Sequence, residues 1–204
     1  MEGRGMAIAM TNKVLTETFG ADTGAALWVK RAALVIAGVM TLAVSAKIAV
    51  PMWPVPITMG TFAVLALGAA YGPRLGLATI GAYLMLGVMG FDVFVGSSAE
   101  TYGLTYMMGG TGGYLVGYVL ATLALGTLAR AGWDRSAGKM AGAMLIGNAL
   151  IYVPGLIWLG MLYGFDKPLL AWGLTPFLVG DAVKLVLAAM LLPAAWKLVG
   201  RARG

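Results

Sequence analysis

In a chain of 204 residues, 60% hydrophobic and only 11% charged, there is too little polar surface for a water-soluble fold, since soluble domains carry about 25% charged residues. Lipid is therefore the solvent, and in lipid every backbone donor and acceptor needs an internal partner, so helices or a closed barrel are the candidates. The apolar runs are continuous over helical lengths and do not alternate, which gives an all-α integral membrane protein. Cysteine and histidine are absent, which excludes disulfide frameworks, Cys/His metal sites and imidazole chemistry. The net charge of +6 sits at segment ends and forms no continuous patch, which points to membrane topology and away from nucleic acid.

Residues 1–26 read as a mixed, polar N-terminal segment outside the bilayer, without the pattern of a signal peptide. A first span is expected over 27–50. Pro51, Pro54 and Pro56 then interrupt the helix, because each removes a donor and restricts the residue before it. The second span is expected over 57–70, ending at Tyr71-Gly-Pro-Arg74, and the third over 75–90. Residues 91–113, rich in Gly, Ser and Thr and carrying Asp92 and Glu100, read as an ordered cap or partly re-entrant loop. Further spans follow over 114–128, 140–163 and 174–199, with a basic tail at 200–204. That makes six transmembrane helices in one bundle. The second and third are shorter than the roughly 20 residues of a perpendicular crossing, so the flanking loops are expected to pack at membrane depth.

Lys and Arg placement sets the expected orientation. One side collects Arg4, Lys13, Lys30, Arg31, Arg74, Arg130, Arg135, Lys139, Lys197, Arg201 and Arg203, and the other only Lys47 and Lys167. Both termini are therefore expected in the cytoplasm. The proline-rich loop, the glycine-rich loop and the turn at Asp166 then share the outer face as a binding mouth.

Within the spans, Asp181 and Lys184 lie three residues apart and share one helix face. Ionisable groups cost a few kcal/mol each inside a membrane, so they face a cavity or one another; the pair reads as ligand contact or as a structural ion pair. Counted from a helix start at residue 174, Asp181 is expected on the order of 10 Å below the outer end. Gly109-Gly-Thr-Gly-Gly-Tyr114 allows close backbone approach, either to a ligand or to a neighbouring helix. Trp53 and Tyr152 are candidate pocket walls or interfacial aromatics, and Asn148 a candidate for ligand contact or interhelical bonding. Ala33 and Ala37, four apart, form a smooth helix-docking patch or an incidental one. No Walker A motif is present, so any ATP-driven step needs a partner protein.

Together, Val50-Pro-Met-Trp-Pro-Val-Pro-Ile-Thr58, Tyr71-Gly-Pro-Arg-Leu-Gly76, Gly109-Gly-Thr-Gly-Gly-Tyr114 and Gly180-Asp-Ala-Val-Lys184 resemble the BioY family in order and spacing. These are the biotin-specific substrate-binding subunits (S components) of energy-coupling factor transporters, and the resemblance covers residues 27–198. It implies a six-helix S-component-like bundle with an outward-facing biotin pocket, in a bacterial cytoplasmic membrane. It carries the family's last-helix pair onto Asp181 and Lys184, and its Gly-Gly-Tyr onto Gly112, Gly113 and Tyr114. The family's coupling-subunit docking pair falls on Ala33 and Ala37. Thr111, Trp53, Tyr152 and Asn148 complete the expected ligand-binding set. The sequence departs from the family at Gly110, where proline is usual, in a third external loop without double glycines, and at Leu115, where some relatives carry arginine. The expected partners are biotin, lipid, and a coupling transmembrane subunit with ATPase subunits, or self-association. No metal, cofactor or catalytic residue is expected. The alternatives are a structural membrane subunit or an S component for another small vitamin. An intramembrane enzyme is poorly supplied with one buried acid and no histidine.

Overall fold

The computed structural model describes residues 12–96 and 102–202. Arg4, Glu100 and Arg203 lie outside them. Helix α1 (Gly24–Lys47) buries only the stripe Gly38, Val39, Leu42 and Ala46, a spacing that marks one face of a helix. Trp28, Ile36, Met40 and Val44 on its other faces are exposed. At Ile48 the chain turns extended into β1 (Ala49–Val50), which pairs antiparallel with β2 (Ile57–Thr58) in the register Ala49–Thr58 and Val50–Ile57. The three prolines thus sit in the loop of a small hairpin, where no ladder donor is needed. The spans read over 27–50 and 57–70 each give up residues to this hairpin.

Helix α2 (Gly60–Val88) is a helical hairpin in fact. Gly72 has φ 74° and ψ 176° and breaks it before Pro73, so the arms are 60–71 and 73–88. A β-carbon on Gly76 would lie 3.7 Å from the Gly68 Cα, whereas eight residues of unbroken helix would separate them by about 12 Å. Glycine is required at residue 72, because side chains rarely adopt a positive φ. Among the described residues, five helices are long and apolar enough to cross a membrane; α2 is one of these five, and its two arms bring the count to the expected six.

A short helix α3 (Gly103–Met107) lies in the glycine-rich loop. Helices α4 (Gly112–Arg130) and α5 (Ala137–Tyr163) follow. They cross backbone to backbone: a β-carbon on Gly113 would lie 2.3 Å from the Pro154 carbonyl oxygen, and one on Gly117 2.6 Å from the Ile151 Cα. Small residues permit such approach in membranes, where dispersion and not water exclusion drives packing. Beside this seam the core is filled by Leu65, Ala121, Leu125, Met144 and Ile151, all at most 1% exposed. Helix α6 (Leu169–Gly173) and a 3-10 turn (Thr175–Phe177) then lead to α7 (Leu178–Ala202).

The final helix therefore begins four residues later than the sequence suggests. Leu174 leaves helical geometry (φ −134°, ψ −59°) and Pro176 opens the 3-10 turn. Asp181 falls in the first turn of α7, about 5 Å along its axis at 1.5 Å per residue, against about 10 Å for a helix that starts at residue 174.

Residues 12–18 cap the end of the bundle at which α1 starts and α7 stops. Val14 is fully buried against Gly72, Arg130 pairs with Glu17, and Arg135 donates to the Lys13 carbonyl at 3.1 Å. At the opposite end Lys47 pairs with Asp92 and Lys167 with Asp166.

Candidate functional site

Three helices meet at the Asp181–Lys184 pair. Both residues are 5% exposed, and Lys184 Nζ donates to Asp181 Oδ1 at 3.1 Å. Asp181 sits in the first turn of α7, where the helix dipole favours an anion. Tyr152 of α5 donates its hydroxyl to Asp181 Oδ2. Lys184 donates to Thr61 Oγ1, on the first arm of α2, at 2.8 Å. Each charge is thus neutralised by the other and held by one neutral hydroxyl, which offsets the desolvation cost of burying them.

Those two hydroxyl residues line a partly open cavity of about 50 Å³. The ion pair itself stands directly behind the wall. Tyr83, Tyr106, Tyr114 and Tyr118 continue the wall, with Thr58 and Thr111. Apolar surface comes from Val55, Phe94, Leu115 and Phe177 among others. No charged side chain lines this cavity among the described residues. Several hydroxyls are already engaged. Tyr114 donates to the Gly173 carbonyl at 2.9 Å, which ties the connection before α7 down onto α4. Tyr83 donates to the Val93 carbonyl at 3.0 Å, and Tyr118 is hydrogen-bonded to Thr58.

The residues singled out from the sequence do not all come together. Asp181, Lys184 and Tyr152 come together, and Tyr114 and Thr111 join Tyr152, but not the ion pair, on the cavity wall. Gly112 and Gly113 press against Trp158 and Pro154 and line no part of the cavity. Trp53 is 66% exposed and packs edge-on against Tyr163 and Trp172, with ring centres 5.5 and 5.2 Å away. Asn148 is half-buried on α5, one turn before Tyr152 and off the cavity wall. Ala33 and Ala37 are exposed on α1. Sequence reasoning missed Thr61, Thr58, Tyr83 and Tyr118. A signal existed in Tyr83 and Tyr118, which lie inside spans, away from the interfacial depth that tyrosine prefers.

With this geometry in hand, the comparisons are consistent. A "Probable biotin transporter BioY" of Pyrococcus horikoshii is 36% identical over 162 residues, covering 79% of this chain and 93% of that protein. A "Biotin transporter BioY" of Thermotoga maritima is 31% identical over 164 residues, covering 78% and 92%. In fold, the chain matches the crystal structure of the S-component for biotin from an ECF-type ABC transporter, with a TM-score of 0.72 at 23% identity, covering 86% of this chain and 95% of that one. The model of the BioY family matches residues 10–201. On that match and those relatives, the chain belongs to the BioY family.

Proposed function

We propose that this chain binds biotin and is the substrate-binding subunit for its uptake. The observation that carries this is the hydroxyl relay at the cavity floor. A carboxylate only accepts, so Tyr152 donates to Asp181 and keeps its oxygen lone pairs for a ligand donor; an ammonium only donates, so Thr61 accepts from Lys184 and keeps its hydrogen for a ligand acceptor. Neighbouring charges strengthen both groups. The ureido ring of biotin offers two N–H donors and one carbonyl, and its thiophane ring is apolar, as the rest of the wall is. Ligand pockets run to about 300–1,000 Å³, against about 50 Å³ for the cavity. Binding therefore includes outward movement of the roof formed by Val55, Pro56, Phe94 and Val95.

The membrane is the cytoplasmic one, with both termini inside. In support, Lys13, Lys30, Arg31, Arg74, Arg130, Arg135, Lys139 and Lys197 gather at the terminal end, while Lys47 and Lys167 at the mouth are each matched by an aspartate. The exposed Ala33–Ala37 face of α1 is the docking surface for a coupling subunit that brings the ATPases. Enlarging both alanines to leucine is expected to impair coupled uptake by cells and leave equilibrium binding unchanged. Labelled biotin is expected to bind the purified, detergent-solubilised protein saturably without ATP. A folded sample that binds none, beside a positive control, overturns the biotin assignment.

A further inference from the structure

The wall of the inner cavity matches the uncharged part of biotin and leaves its carboxylate unaccounted for. Above the cavity, toward the mouth, lies a second chamber of about 510 Å³. The two share Pro56, Val95, Tyr106 and Thr111, so these four side chains form the partition between them. Tyr106 is hydrogen-bonded to Thr111 and to the backbone of Gly96, which draws the partition closed. Ala46 lines the inner cavity and the next residue, Lys47, the outer chamber. Lys47 is the basic residue that lines the outer chamber among the described residues.

Its ammonium carries three donors. One goes to Asp92 and one to the Phe94 carbonyl, at 2.7 Å. Phe94 and Val95 roof the inner cavity, so Lys47 holds the roof-bearing segment to the end of α1. The side chain of Lys47 is 39% exposed and that of Asp92 68%, so both face a wet space where an exchange of carboxylates costs little.

We infer that Lys47 forms a second subsite, which takes the carboxylate of a ligand whose neutral head occupies the inner cavity. The inference rests on the biotin reading above. The head enters past Tyr106 and Thr111, the tail crosses the partition, and the tail carboxylate meets Lys47 in place of, or beside, Asp92. The floor then selects the ring and the vestibule selects the negative tail. Lys47 also holds the Phe94 segment, so the anchor of the tail and the clasp of the roof are one residue.

The test compares biotin with biotinamide, whose tail is neutral, on the wild type, Lys47→Gln and Lys47→Arg. The wild type is expected to prefer biotin by about five- to tenfold, the range between an exposed ion pair and a charge-assisted hydrogen bond. Lys47→Gln is expected to abolish that preference by weakening biotin alone, and Lys47→Arg to retain it. Equal weakening of both ligands by Lys47→Gln makes the residue a structural clasp of the roof and overturns the subsite. Unchanged preference in Lys47→Gln overturns it as well, with biotin binding intact. A wild type that binds neither ligand overturns the biotin reading and the subsite with it.

Discussion

The molecule buries two aspartates, and they are built differently. Asp181 is 5% exposed and Asp134 fully buried. Asp181 has a lysine one turn away and a tyrosine hydroxyl, and the hydroxyl groups holding that pair open onto a cavity. Asp134 lies between α4 and α5 and accepts the indole N–H of Trp196, on α7, at 2.6 Å. The neighbouring Arg135 stacks over the Trp196 ring at 4.3 Å and donates to the Lys13 carbonyl. That cluster knots the α4–α5 turn, the end of α7 and the N-terminal segment together. Burial alone therefore does not mark a ligand site. Unused hydrogen-bonding capacity does not mark it either, since Asp134 Oδ1 is buried without a hydrogen-bond partner among the described residues; what marks it is that the hydroxyl groups holding Asp181 and Lys184 line a cavity.

The largest effects come from breaking the first arrangement. Lys184→Met strands the Asp181 charge in a dry site, a loss of about 3–5 kcal/mol, and is expected to lower thermal stability in detergent severely. Asp181→Asn with Lys184→Gln in one protein removes both charges and keeps the shape. This double variant is expected to fold while binding biotin about ten- to a hundredfold more weakly, since the charge-assisted polarisation of Tyr152 and Thr61 is gone. Normal affinity in a stably folded double variant would reduce the pair to a strut. Asp134→Asn is expected to leave biotin affinity unchanged.

Part of this contrast was legible in the sequence. Charges within an apolar run are local signals, as are prolines and the Gly72-Pro73 break, so the spans and the Asp181–Lys184 pair could be read directly. Thr61 could not, because a threonine near a helix start says nothing until α7 packs opposite it, 123 residues later. Asp134 gave no signal for the same reason, since the tryptophan that covers it comes 62 residues on. Gly112 and Gly113 read equally well as ligand contacts or packing, and only the position of Pro154 and Trp158 distinguishes them. The start of α7 was misplaced because an apolar stretch hides the Leu174–Phe177 irregularity.

A smaller effect tests the knot. Trp196→Phe keeps an aromatic ring for Arg135 but removes the N–H, leaving a buried carboxylate oxygen without its donor. The expected cost is about 1–3 kcal/mol of stability, read as a lower melting temperature, with biotin affinity preserved. A loss of affinity without a loss of stability would tie this end of α7 to the binding site and erase the distinction between the two aspartates.

The smallest effect is one of pH. Burial pushes the Asp134 carboxyl above its ordinary value of 3.8, against the opposing pull of the Trp196 hydrogen bond and the Arg135 charge. A folded value raised above the unfolded one means that the folded state binds the proton more tightly. The associated stability is fully present below about pH 3.8 and is lost as pH rises through the raised folded value. At neutral pH the ionised group is therefore at its least favourable. Asp134→Asn keeps an oxygen acceptor for Trp196 and has nothing to titrate. The melting temperature of the wild type relative to Asp134→Asn is accordingly expected to rise as pH is lowered from 7 toward 4, the two proteins being scanned side by side in one detergent. All other titrating groups are common to both, so their effects cancel in the difference. A difference that stays flat over that range would mean that burial does not raise the Asp134 carboxyl, and the contrast between the two buried acids would then rest only on what lies beyond them.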